Sequence, residues 1–127
     1  MKKDIENRDD LYLLVKKFYE KLLIDKSIGH FFEEFKQPEI LETHLQTLVD
    51  FWDNVLFYSG GYRKNAMKPH LELHQKKPFK SEHFKCWLSS FNSAVDELFE
   101  GEMAHTVKSR ALSIATVMEI KISELNK

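Results

Sequence analysis

Apolar positions recur along this chain at steps of three and four, the spacing of one face of an α-helix, and nowhere alternate as strand residues do. Leu11, Leu14, Val15, Phe18, Tyr19, Leu22 and Leu23 form the first stripe, with Asp9 or Asp10 expected to cap its start. Asp25 to Gly29 interrupts it, and a short apolar turn through Phe31, Phe32 and Phe35 follows. Pro38 suits the opening turn of a second helix, where a missing N–H removes no bond. That helix presents Ile40, Leu41, His44, Leu45, Leu48, Val49, Trp52 and Leu56 on one broad face, and Gly60-Gly61 is expected to end it. Ser81 is expected to cap a third, whose inner face is Phe84, Trp87, Leu88, Phe91, Val95, Leu98 and Phe99. After Gly101 a fourth runs through Val107, Ala111, Ile114, Ala115, Met118 and Ile122. The pattern predicts one all-α domain over residues 1–127.

Residues 62–80 break the rule. They show no clean period and hold Pro69 and Pro78. Helical domains usually join their helices with about 2 to 8 residues. A link this much longer points to a functional segment, with at most a short helix around His70. It contains both His70 and His74.

Composition narrows the classes. Nineteen basic residues stand against twenty acidic, a net charge of -1, so nucleic acid is not expected as a partner. No apolar run approaches the roughly 20 residues that span a bilayer, and no apolar core follows the first basic residues as in a signal peptide. The single cysteine, Cys86, precludes an internal disulfide and suits a reducing, cytoplasmic compartment. Ten Phe, four Tyr and two Trp mean that large rigid rings line whatever the fold encloses.

Among six histidines, His30, His83 and His105 read as ordinary surface or satisfied core residues. His44 differs, because it lies on an apolar face in register with Leu41, Leu48 and Trp52. An imidazole there needs a partner, either a backbone carbonyl or a ligand, and the pattern leaves both open. Tyr19 on the first helix has the same need for its hydroxyl, and Trp87 for its indole N–H. His70 and His74 are spaced as neighbours on one helical face, a spacing that can bind zinc or iron. No Cys pair, His-Glu-x-x-His motif, phosphate loop or serine elbow accompanies them. Cys86, beside Trp87 in mid-helix, reads as an inert thiol.

These residues also occur as an ordered set. Phe18-Tyr19-Glu20-Lys21 is followed by Asp25-Lys26 and the Gly29 to Phe32 turn. His44 precedes Phe51-Trp52 by seven and eight residues, and Tyr62 precedes Met67-Lys68-Pro69-His70-Leu71-Glu72-Leu73. Glu82-His83-Phe84, Trp87-Leu88 and Phe91 complete it. In this order the set resembles the truncated haemoglobins, and among them the group III branch.

The resemblance implies a shortened globin fold, with two antiparallel helix pairs stacked two-over-two around haem b. An extended loop would carry the proximal histidine, which accounts for residues 62–80. His70, 18 residues after Trp52 and 26 after His44, then looks like the iron ligand. His74 stays open as a rival. Tyr19, His44 and Trp87 match the polar distal residues that donate hydrogen bonds to a small ligand. Phe18, Phe31, Phe32, Leu48, Phe51, Trp52, Tyr62, Leu73, Phe79, Phe84, Phe91, Ile114 and Met118 would line the cofactor. Arg63, Lys64, Lys68, Lys76 and Lys77 are candidate propionate partners.

Implied partners are dioxygen, nitric oxide or other small ligands and an electron donor, for a monomer. Nitric-oxide or peroxide chemistry would belong to such a protein. Two other readings stand beside this one. One is a haem-free metal site built on His70, His74 and His44. The other is a helical interaction module without a cofactor.

Overall fold

Each apolar stripe becomes a helix, and most helix ends have a local cause. The computed structural model describes residues 2–57 and 80–125, with side chains through Lys121. Its elements are α1 (Arg8–Ile24), a 3-10 segment (Gly29–Lys36), α2 (Pro38–Phe57), α3 (Ser81–Leu98) and α4 (Glu102–Leu125). No strand occurs among the described residues, so the expected all-α class holds. The Gly60-Gly61 stop and the whole 62–79 stretch lie outside the described residues.

Two expected caps are displaced. The start of α1 is capped by Asn7, whose side chain accepts from the Asp10 backbone N–H at 3.0 Å. Asp10 instead turns inward and is only 4% exposed. There it meets Lys3 Nζ at 2.9 Å and accepts from the Glu6 backbone N–H at 2.9 Å. A buried carboxylate needs such partners, and the N-terminal arm supplies them. At α3 the cap is Lys80 rather than Ser81. The Lys80 backbone N–H donates to His83 Nδ1 at 2.7 Å, while the Ser81 hydroxyl reaches across to Glu119 on α4.

At its far end, α1 stops at Asp25, whose carboxylate accepts from the Ser27 N–H at 2.7 Å and turns the chain. Gly29 then passes so close to α1 that an added Cβ would lie 3.0 Å and 3.1 Å from the carbonyl oxygens of Leu23 and Leu22. This tight passage seats the 3-10 segment under the helix. The segment is two helical turns joined at Phe32, and Phe31, Phe32 and Phe35 all point inward.

Helix α1 is central: it packs on α2, on α3 and on the 3-10 segment, while α3 packs on α4. Arg8 forks to Asp50 at 2.5 Å and Asp53 at 3.1 Å, and Tyr12 donates to Glu42 at 2.6 Å, both tying α1 to α2. Lys21 pairs with Glu97 at 2.8 Å, tying α1 to α3. The enclosed core runs from Ile5 through Leu11, Leu14, Val15 and Leu22 to Val95, Val107 and Met118. At the start of α4 the arm returns: the Asp4 carboxylate accepts from the Met103 and Ala104 N–H groups, each at 2.9 Å. Asp4 thus satisfies two of the helix's orphan donors from outside it. No described helix is long and apolar enough to cross a membrane.

Candidate functional site

The pairing of α1 with α2 sets the site, because each helix puts one polar side chain on its inner face. The Tyr19 hydroxyl and His44 Nε2 meet at 2.7 Å. The need for a partner that the sequence posed for both residues is met by each other. Tyr19 is 2% exposed. Burial, reinforced by the charge of Glu34, pushes its hydroxyl far above the usual phenol range, so it keeps its proton. A protonated phenol both gives and takes a hydrogen bond, and the imidazole tautomer decides which it does toward His44.

Around this pair the walls are aromatic. Phe35 lies face to face with the His44 ring, centroids 4.5 Å apart and planes at 20°. Phe18 meets Tyr19, Trp87 and Phe91 in T-shaped pairs at 5.4, 5.5 and 5.1 Å. Phe91 stacks between Trp52 (5.4 Å, 24°) and Trp87 (6.2 Å, 11°). Such ring pairs contribute about 0.5–1.5 kcal/mol each beyond the area they bury, so the wall is stiff as well as apolar.

Of the other site residues expected from sequence, Phe31, Phe32, Phe84 and Met118 are buried. Leu48, Phe51 and Ile114 are half-buried against the same core. Tyr62, His70, Leu73 and Phe79 lie outside the described residues, as do His74 and all five candidate propionate partners. His105 is exposed, as read. His83 serves the start of α3; its burial lowers its pKa against the pull of Glu82. His30 lies at the surface with its ring 4.2 Å from that of Phe31. Among the described residues no three metal-ligating side chains converge.

The chain is 30% identical over 118 residues to the group 3 truncated hemoglobin ctb of Campylobacter jejuni, a match covering 91% of each protein. This chain belongs to the group III truncated haemoglobins. The crystal structure of the group III truncated hemoglobin from Campylobacter jejuni superposes with a TM-score of 0.84 at 29% identity, covering 96% of this chain and 95% of that one. No family model matches the chain. The group III fold agrees with the expected shortened globin, and it is a fold of haem-binding globins.

The described side chains fit a haem. Aromatic rings from α1, α2, α3 and the 3-10 segment gather around one polar pair, the apolar surroundings that a flat macrocycle requires. The polar pair set among them consists of groups that exchange hydrogen bonds. Sequence reasoning assigned Phe35 to an apolar turn and gave it no part in the group III site. Its contact with His44 depends on how the 3-10 segment is folded, and no spacing rule carries that.

Proposed function

We propose that this group III globin holds haem b through His70 and faces a small diatomic ligand, dioxygen or nitric oxide, with Tyr19, His44 and Trp87. The observation that supports this reading is the 2.7 Å contact of Tyr19 with His44, flanked by the rings of Phe18 and Phe35. Apolar groups of the same shape would serve stability about as well as such a pair. Haem iron, when bound, supplies the coordination site for the ligand.

The residues of the chain do the rest. With Nε2 of His44 unprotonated, the Tyr19 O–H donates to it. With Nε2 protonated, His44 donates to the Tyr19 oxygen, and the phenolic hydrogen is released toward the pocket. The pair therefore offers a proton donor that is engaged or available according to tautomer. Trp87, only 6% exposed, adds an indole N–H, which donates and never accepts. Hydrogen-bond donors at Tyr19, His44 and Trp87 would stabilise negative charge on a diatomic ligand and so slow its escape. Phe18, Phe32 and Phe91 keep bulk water out, which strengthens each of these bonds.

His70 would hold the iron through a neutral ring nitrogen. Slow release suits ligand chemistry, including nitric-oxide or peroxide removal, better than bulk transport, and requires an electron donor to keep iron ferrous. Half-buried Cys86 accords with a reducing cytoplasm. Stopped-flow dioxygen release tests the reading. It should be slow in the wild type and about tenfold faster in Tyr19→Phe, the factor for losing one good hydrogen bond. Fast release that Tyr19→Phe leaves unchanged would contradict it.

A further inference from the structure

The Tyr19–His44 contact fixes one atom of the imidazole, and one atom does not fix a ring. Rotation about the bond joining His Cβ to its ring is broad, because that torsion connects sp³ to sp² carbon. A second surface is needed to hold the plane, and Phe35 provides it. The two rings lie 4.5 Å apart and 20° from parallel. The same phenyl ring meets Tyr19 edge-on at 5.5 Å and 89°. One side chain thus touches both members of the pair. It does so on the face of His44 and leaves the nitrogen edge to the hydroxyl.

Phe35 is itself held. It is 7% exposed and belongs to neither helix of the pair but to the 3-10 segment. That segment is closed by the Gln37 N–H donating to the Glu34 carbonyl at 3.3 Å, and Gly29 seats it against α1. Phe32 lies nearly parallel to Phe35, at 6.4 Å and 29°. The geometry of the pair is therefore set by three elements rather than by two.

We infer that Phe35 is a positioning residue: its ring face fixes the plane of His44, so that Nε2 stays on the Tyr19 hydroxyl. The inference rests on the reading of that pair as the ligand-facing group. A leucine at position 35 would fill most of the volume but offer no flat face. A tyrosine would retain the face.

The test is nitrogen-edited NMR of the histidine rings in the full chain, recorded on the diamagnetic carbonmonoxy form. In wild type and Phe35→Tyr, the His44 Nε2 resonance should carry the shift of a nitrogen hydrogen-bonded to the Tyr19 hydroxyl. In Phe35→Leu that shift should move toward the value of an imidazole without this hydrogen bond, and dioxygen release should quicken by about fivefold, the factor for a weakened hydrogen bond. Wild-type resonances and an unchanged release rate in Phe35→Leu, with only a lowered melting temperature, would overturn the inference. Phe35→Met repeats the measurement should the leucine variant fail to fold. A chain that takes up no haem would overturn the ligand-facing reading alone. The His44 resonances of the protein as purified, compared between wild type and Phe35→Leu, would then still decide the role of Phe35.

Discussion

Helix α1 carries two buried polar sites, and they are satisfied in opposite ways. At its start Asp10 is a charged group met by the Lys3 ammonium and by the Glu6 backbone N–H. Nine residues on, about 13 Å along the helix, Tyr19 is an uncharged phenol met by one imidazole. Around Asp10 every role is fixed, because a carboxylate only accepts while an ammonium and an amide only donate. Around Tyr19 donor and acceptor can exchange. The first arrangement anchors the N-terminal arm. The second retains a proton that can be offered elsewhere, which a fold gains nothing by keeping and a ligand pocket can use.

The comparison can be broken from either side, and the largest effect belongs to the anchor. Asp10→Ala removes the acceptor shared by the Glu6 amide and the Lys3 ammonium, and should lower unfolding free energy by about 1.5–3 kcal/mol, the contribution of hydrogen bonds to a charged group. Urea denaturation measures it, and the spectrum of the haem-loaded protein should not move. The double variant Tyr19→Phe, His44→Leu should do the reverse. Replacing both partners by apolar groups of similar shape is nearly neutral, so stability should stay within about 1 kcal/mol of wild type. Dioxygen release should still accelerate by about tenfold.

Asp4 sharpens the contrast through pH. Burial works against its charge, but the amides of Met103, Ala104, Ile5 and Glu102 outweigh that and hold its carboxyl below the usual range. A folded-state value below the unfolded one means that the stabilisation is present above the ordinary Asp value near 4. It is lost as pH falls through the folded value. Asp4→Ala should therefore cost about 1 kcal/mol at neutral pH, as lost helix caps do. The difference from wild type should shrink in denaturation curves taken below about pH 4. The smallest effect is expected at the α1–α3 surface pair. Lys21→Ala should change stability by no more than about 0.2–1 kcal/mol, and less still in high salt.

The helices were legible because the 3.6-residue period survives in the spacing of Leu11, Leu14, Val15 and Phe18, and again in Phe84, Trp87 and Phe91. The caps were less so. Asn7, Asp9 and Asp10 are all good capping residues. What separates them is that Asp10 is drawn inward by Lys3 and the Glu6 amide, which periodicity does not register. Asp4 was invisible for a stronger reason: its partners lie 99 and 100 residues away. Gly101 read as a helix boundary. Its positive φ of 137° and the Asp4 carboxylate, 2.6 Å from where a Cβ would stand, give that boundary a second cause. In the site, Tyr19 and His44 were each legible as polar residues on apolar faces. That they satisfy one another follows only from the packing of α1 on α2.

The central claim is haem held by His70, and the absorbance spectrum of the purified chain in ferric, ferrous and carbonmonoxy forms tests it most directly. An intense Soret band that is lost in His70→Ala and kept in His74→Ala is the predicted result. A folded but colourless protein, or a band that survives His70→Ala unchanged, would contradict it.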